Sequence, residues 1–153
     1  MSVDFLDTNV LVYLFDETDA AKHAVARRLV EEALTDGCGV ISFQVVQETL
    51  NVLTHKLKVI ARAEDAASFL QHTLVPLCRV QPSPALYAAA LDIQQRQRFG
   101  FYDSLVVAAA LEAGCRRLLS EDLQAGALIA GVRVVNPFVT SSAAPGKRGR
   151  RGR

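Results

Sequence analysis

Five short apolar segments, the first four of them separated by longer helical segments, constrain the fold of this chain more than any other feature. In the first of them, Val3, Phe5 and Leu6 point to both sides, which is typical of a strand buried on both faces. The five segments are VDFLD (3–7), CGVIS (38–42), CRVQ (78–81), RRLLS (116–120) and VRVVNP (132–137). Their alternation with helices predicts an α/β domain around a parallel sheet of about five strands.

The segments between these strands are predicted to be amphipathic helices. They cover residues 20–34, 43–57, 63–74, the segment PSPALYAAALDIQQRQR and residues 102–113. Ser42 can cap the second helix, and Gly37 stands where the first should end. The core-facing residues of the second helix are predicted to be Val46, Leu50, Leu53 and Leu57.

The charge of the chain is unevenly distributed. Its last seven residues, KRGRRGR, hold five of the 17 basic residues, and the remainder carries 12 basic against 16 acidic residues, a net charge of −4. We therefore predict one acidic domain over residues 1–139 and a disordered basic tail over residues 140–153. Overall charge gives no argument for nucleic-acid binding.

Several features predict a cytoplasmic protein. No apolar run approaches the roughly 18 residues that a membrane span needs, so no membrane contact is expected. The first residues lack a basic leader, as a signal peptide would have. The three cysteines have no metal-site spacing and are expected to be free thiols in a reducing compartment.

Acidic residues lie near the carboxyl ends of the predicted strands, where parallel α/β domains bind their ligands. Asp7 ends the first strand, and Asp122 lies just past the fourth. Asp103 starts the helix before the fourth strand, and Glu48 lies about two turns into the helix after the second. We therefore expect three segments to bring a carboxylate to one edge of the sheet and a fourth to reach it.

Each of these acids has a purely structural interpretation when it is considered alone. Asp7 in DTN can form an Asx-turn, and Asp103 can cap its helix. Asp122 can be an ordinary loop residue. Glu48 points away from the predicted apolar stripe, which favours a solvated helix surface.

The four acids together favour a metal site. Two carboxylates about 4 Å apart repel by roughly 4 kcal/mol at an effective dielectric constant near 20, so a cation is needed to offset the repulsion. Oxygen ligands without His or Cys suit Mg²⁺ or Mn²⁺. No Ser/His/Asp arrangement or Gly-rich phosphate loop competes, and the three histidines are scattered along predicted helices. The residues therefore predict metal-assisted hydrolysis, with phosphodiesters as the natural substrate.

Four segments in order, FLDTNVLVYLF, ISFQVVQETLNVL, YDSLVVAAALEAGC and LLSEDL, resemble the successive signatures of the PIN domain. They are most similar to the VapC-type ribonuclease toxins of bacterial toxin–antitoxin pairs, over about residues 3–138. The resemblance implies a three-layer α/β/α fold and Mg²⁺-dependent cleavage of single-stranded RNA. It also implies a homodimer and an antitoxin, a segment of which blocks the acidic groove.

The resemblance assigns catalytic and metal-binding roles to the acids residue by residue. Asp7 and Asp103 would bind the metal most directly, and Asp122 would complete the site. Glu48 would hold a metal-bound water or a second ion. The polar residues that would support these acids are Thr8, Asn9 and Ser120.

A basic and aromatic segment just before Asp103 is a candidate RNA contact. Arg96 and Arg98 would bind phosphates, and Tyr102 would stack on a base. The alternative is that the neighbouring phenylalanines belong to the core and the arginines are only solvated. The basic tail lies outside the shared pattern and is either an RNA or antitoxin contact or a solubilising end.

Three other functions remain open at this point. The chain could be an RNA-processing PIN nuclease that is not a toxin, or a non-catalytic domain that binds RNA or protein. A phosphatase of the haloacid dehalogenase type also places Asp at the end of its first strand. That class needs a second Asp two residues later, where this chain has Asn9.

Overall fold

The central element is a six-stranded sheet with the strand order β3-β2-β1-β4-β6-β5. The computed structural model describes residues 2–56 and 63–139. The strands are β1 (Asp4–Leu6), β2 (Gly39–Ser42), β3 (Cys78–Val80), β4 (Arg117–Leu119), β5 (Leu128–Ile129) and β6 (Val132–Val135). Neighbours from β3 to β6 pair in parallel, which confirms the predicted parallel sheet, and β5 adds an antiparallel sixth strand.

The helices connect these strands and cover the sheet. They are α1 (Thr8–Val12), α2 (Ala20–Asp36), α3 (Phe43–Asn51), α4 (Ala63–Phe69), α5 (Val75–Leu77), α6 (Pro84–Gln97) and α7 (Phe101–Glu112). Short π-helical turns continue α3 over Val52–Lys56 and α4 over Leu70–Leu74. Within the described residues, none of these helices has the length and apolar character needed to cross a bilayer.

Both faces of the sheet are buried, so the three-layer α/β/α prediction is confirmed. Successive residues of β1, Phe5 and Leu6, are both buried although their side chains point to opposite faces. Val40 and Ile41 repeat this pattern in β2. A sheet buried on both faces needs helices on each side.

Two helix ends follow the signals predicted for them. The backbone amide of Val45 donates to Ser42 Oγ at the start of α3, and Gly37 ends α2 with a φ of 68°. Helix α7 begins at Phe101, one residue before its predicted start, with Gly100 as its N-cap. Asp103 is therefore in the first turn of α7, and the interpretation of Asp103 as the N-cap is wrong. The predicted tail, residues 140–153, lies outside the described residues.

The register of the sheet fixes which polar residues share an edge. Leu6 of β1 pairs with Leu119 of β4 in parallel. The next residues, Asp7 and Ser120, therefore leave the sheet side by side at its carboxyl edge. The backbone amide of Asp7 donates to the carbonyl of Leu119 at 3.0 Å, which extends the pairing to this point.

Helix α2 packs closely on β2 because Gly39 has no side chain. A Cβ atom at this position would lie 2.6 Å from Ala33 Cβ and 3.3 Å from Leu6 Cδ1. Neither neighbour can move freely, since Ala33 Cβ is fixed to the helix backbone and Leu6 is buried. Glycine is therefore required for the observed distance between this helix and the sheet.

We expect Ala130→Asn to stabilise the protein by about 1 kcal/mol, because it relieves strain in the β5–β6 hairpin. Ile129 pairs with Val132 across a two-residue turn whose residues, Ala130 and Gly131, have φ values of 51° and 90°. Asn tolerates a positive φ better than Ala, and Asn-Gly is the preferred pair in such turns. Urea unfolding would measure the gain. Ala125→Asn, made at an exposed position without a positive φ, should give none.

Candidate active site

Asp7 is held rigidly between two strand ends. It is 7% exposed and caps α1, where its Oδ1 accepts from the backbone amide of Thr8 at 2.8 Å. Its Oδ2 accepts from Ser120 Oγ at 2.7 Å. Ser120 is fully buried just after β4, so the carboxylate of Asp7 is tied both to its own strand and to the neighbouring strand. The observed N-cap of α1 is compatible with the predicted role of Asp7 as a metal ligand, since both use the same fixed carboxylate.

The surroundings of Asp7 disfavour its negative charge. Burial raises the pKa of Asp7 to about 6, against the opposing hydrogen bonds from Ser120 and Thr8. The negative charges of Glu48 and Asp122 raise this pKa further. Three of the four predicted acids are thus close enough to interact electrostatically. A cation at this edge of the sheet would offset the free-energy cost of keeping Asp7 ionised.

Glu48 is fixed by hydrogen bonds at both carboxylate oxygens. Thr8 Oγ1 donates to its Oε2 at 2.6 Å, and Gln44 Nε2 donates to its Oε1 at 2.9 Å. Glu48 is half-buried, so the interpretation of this position as a solvated helix surface is wrong.

The side of α3 that faces the core is rotated slightly from the predicted stripe. The fully buried apolar residues of α3 and of the turn that continues it are Val45 and Leu53, with Val46 and Leu50 only half-buried against the core. Leu57 lies outside the described residues. The rotation turns Glu48 toward α1.

Asp122 is more exposed and is held by its neighbours. Asn9 Nδ2 donates to Asp122 Oδ2 at 3.1 Å, and the backbone amide of Asp122 donates to Ser120 Oγ at 3.2 Å. Ser120 therefore contacts both Asp7 and Asp122. Each of the three polar residues expected to support the acids makes a hydrogen bond to at least one of them.

Asp103 stands apart from the other acids. Its side chain is exposed in the first turn of α7, and its charge is not among those that raise the pKa of Asp7. The residue before Asp103, Tyr102, is bound by Gln44, whose Nε2 donates to the carbonyl oxygen of Tyr102 at 3.2 Å. Among residues 2–56 and 63–139, no three His, Cys, Asp or Glu side chains are placed to share one metal ion. The structure brings together Asp7, Glu48 and Asp122, and Asp103 is not among the charges that act on Asp7.

An open groove runs past these acids along α1 and the end of α3. The residues that line it include Asn9, Tyr13, Glu48, Asn51 and Asp122. Glu121 also lines this groove and was missed in the sequence because it stands beside the more conspicuous Asp122. Its carboxylate pairs with Lys22 Nζ, which also donates to the hydroxyl of Tyr13 at 3.2 Å. Glu121 is therefore already neutralised and is a poor candidate for a metal ligand.

The predicted RNA-contact residues lie at the connection between α6 and α7, outside the lining of this groove. Arg96 is exposed and pairs loosely with Asp92 at 3.4 Å. Arg98 caps α6 with a φ of 55° and is exposed. The ring of Tyr102 is 69% exposed, whereas the neighbouring Phe99 and Phe101 pack partly against the core.

Comparison with known proteins identifies the family. The model of the PIN domain matches residues 5–127, which include all four predicted acids. The chain belongs to the PIN domain family. The resemblance noted in the sequence is thereby confirmed at the level of the family. No curated protein matches the chain.

Three solved structures have a fold similar to that of this chain. VapC20 of Mycobacterium tuberculosis, a toxin that cleaves the sarcin-ricin loop, shares 24% identity over 78% of this chain and 89% of its own, with a TM-score of 0.59. FitAcB from Neisseria gonorrhoeae shares 18% identity over 90% of this PIN domain chain and 100% of its own, with a TM-score of 0.58. VapBC2 from Rickettsia felis, bound to a DNA fragment from its promoter, shares 15% identity over 86% of this chain and 96% of its own, with a TM-score of 0.62. At these identities the likeness shows a common PIN fold.

Proposed function

We propose that this PIN domain is a metal-dependent endoribonuclease that cleaves single-stranded RNA, and that it is the toxin of a toxin–antitoxin pair. The observation that carries the proposal is the cluster of Asp7, Glu48 and Asp122 at the carboxyl edge of the sheet. Its central carboxylate is buried, and within residues 2–56 and 63–139 it forms no salt bridge. Proteins keep such a group mainly where function needs it.

The residues present fit a hard divalent cation in donor type and in charge. Asp7, Asp122 and Asp103 offer only oxygen atoms, which suits Mg²⁺ and, as an alternative, Mn²⁺. The raised pKa of Asp7 reflects burial and like charges that a cation would offset. When bound, the ion would lower the pKa of a water molecule and stabilise the charge that develops on the phosphate.

The protein residues would supply position and proton transfer. Asp7 is held by Ser120 and Thr8, so its carboxylate keeps one orientation. Glu48 keeps its orientation through Thr8 and Gln44 and would receive or hold the proton of the attacking water. Fixed carboxylates on strand ends and helices reduce the motion needed to reach the transition state.

The toxin role is supported by the descriptions of the structural neighbours. One is named as a toxin that cleaves the sarcin-ricin loop, and another is VapBC2 bound to a DNA fragment from its promoter. We extend this to an antitoxin partner, a homodimer and a cytoplasmic location for this chain. An RNA-processing role without toxicity and a non-catalytic binding role are the alternatives. Membership of the PIN family removes the support for a haloacid dehalogenase-type phosphatase.

Incubation of the purified protein with total RNA, with and without Mg²⁺, tests the enzymatic part of the proposal. We expect discrete cleavage products that require Mg²⁺ and disappear with EDTA. Induced expression in a bacterial host tests the toxin part, with growth arrest as the expected result. Cleavage without growth arrest would favour an RNA-processing nuclease, and RNA binding without cleavage would favour a non-catalytic domain.

We expect removal of the arginine charges between α6 and α7 to weaken RNA binding by about tenfold, since each lost phosphate contact reduces the electrostatic part of the affinity. Arg96→Ala is suitable on the helix, but Arg98 has a positive φ, so Arg98→Gly keeps the helix end unstrained. Fluorescence anisotropy with single-stranded RNA at several salt concentrations would show a lower affinity and a shallower salt dependence. Arg28→Ala, on the exposed face of α2, serves as the control. Unchanged affinity in the double variant would show that these arginines are only solvated.

A further inference from the structure

We infer that Gln44 is a positioning residue that joins Glu48 to the first turn of α7, the turn that carries Asp103. The inference rests on the proposed nuclease function and extends it to a residue outside the acidic set. Gln44 is 4% exposed and lies near the start of α3. Its amide nitrogen donates to Glu48 Oε1 at 2.9 Å and to the carbonyl oxygen of Tyr102 at 3.2 Å.

The two acceptors determine the orientation of the Gln44 amide. The two hydrogens of Nε2 point to an oxygen on α3 and an oxygen on α7. A rotated amide would place its own oxygen against both acceptors and lose both hydrogen bonds. Gln44 therefore donates both to the side chain of Glu48 and to the backbone of Tyr102, which lies 58 positions after Gln44 in the sequence.

The arrangement leaves the other half of the amide unused. Gln44 Oε1 is buried and has no hydrogen-bond partner within the described part of the chain. An unpaired buried oxygen reduces the free energy of unfolding, so an apolar side chain of the same size would suit a purely structural position better. A buried polar side chain with only one satisfied end is expected at a position whose donors serve a functional site.

Gln44 connects the helix turn that carries Asp103 to the cluster of the other three acids. The side chain of Asp103 is exposed in the first turn of α7, so the hydrogen bond from Gln44 reaches this turn through the backbone of Tyr102. The opposite oxygen of Glu48 is bound by Thr8 of α1. The sequence of contacts Thr8–Glu48–Gln44–Tyr102 therefore connects the residue after Asp7 to the residue before Asp103.

Gln44→Met tests this inference because it preserves length and volume but removes both donors. We expect kcat for RNA cleavage to fall about 10- to 100-fold with little change in KM, because Gln44 is buried and out of reach of RNA. The free energy of unfolding should change little, because Met removes the unpaired oxygen of Gln44 but also leaves Glu48 and Tyr102 without their donor. Gln47→Met, on the exposed side of the same helix, should leave kcat unchanged.

Hydrogen exchange on the metal-free protein supplies a readout that is independent of activity. In Gln44→Met, peptides that cover residues 99–106 should exchange several-fold faster than in the wild type, whereas Gln47→Met should match the wild type. A wild-type kcat, or unchanged exchange in these peptides, would overturn the inference. If the wild-type protein cleaves no RNA, the proposed function fails separately, and the exchange measurement alone decides the role of Gln44.

Discussion

Asp7→Asn is expected to abolish RNA cleavage, with a fall in rate of about a thousandfold or more, and to leave the protein folded. Asp7 is the buried centre of the acidic cluster, held at 2.7 Å by Ser120 Oγ and at 2.8 Å by the amide of Thr8. Loss of its charge would remove several kcal/mol of transition-state stabilisation that a bound cation supplies.

The same substitution should stabilise the fold at neutral pH. Burial raises the pKa of Asp7 to about 6, so the ionised carboxylate destabilises the folded state. A neutral amide avoids that cost, and its oxygen can still accept from Thr8. Allowing about 1 kcal/mol for the altered hydrogen bond to Ser120, we expect a net gain of about 1–2 kcal/mol near pH 7.5.

RNA cleavage, growth arrest and urea unfolding of the variant would be measured together. Asp36→Asn makes the same chemical change at the exposed end of α2 and should leave all three unchanged. Activity within tenfold of the wild type would exclude Asp7 from the mechanism. A large loss of stability would indicate that the carboxylate is structural, because a site optimised for function is commonly stabilised when its charge is removed.

The parallel sheet could be predicted from the sequence because its strands are short and apolar and most of them alternate with helices. Two of the elements that the sequence did not predict, α1 and β5, are governed by local geometry that composition does not show. Helix α1 has five residues and begins directly after β1 and Asp7, so it has no visible period. Strand β5 has two residues, and its turn uses Ala130 where Asn would have signalled a hairpin.

Only part of the candidate site could be predicted from the sequence, for a related reason. The positions of Asp7 and Asp122 follow from strand order, since β1 and β4 are parallel neighbours. The position of Asp103 relative to the other acids depends on how α7 packs against the rest of the domain, and no local sequence pattern predicts that packing. Gln44 was missed because its second partner, the carbonyl of Tyr102, lies far away in sequence. A glutamine four residues before Glu48 was the one available signal, since side chains at that spacing meet on a helix.

Mg²⁺ is expected to stabilise the protein strongly near pH 7.5 and weakly near pH 5. The folded-state pKa of Asp7, about 6, lies above its ordinary value of 3.8, and burial is the main cause. The folded protein therefore holds an extra proton between these two values. For this group, stability is greatest below pH 3.8 and falls as the pH rises to about 6, by about 3 kcal/mol in all.

A bound cation would recover that loss only where Asp7 is ionised. Below pH 6 the ion must displace the proton, so its affinity should fall about tenfold for each further pH unit. Thermal unfolding from about pH 5 to pH 8, with MgCl₂ or with NaCl of equal ionic strength, would measure the effect. In Asp7→Asn the Mg²⁺-dependent shift in Tm should be small at every pH. An equal shift at both ends of the range in the wild type would place the ion away from Asp7, because only a ligand that competes with a proton makes metal binding depend on pH in this window.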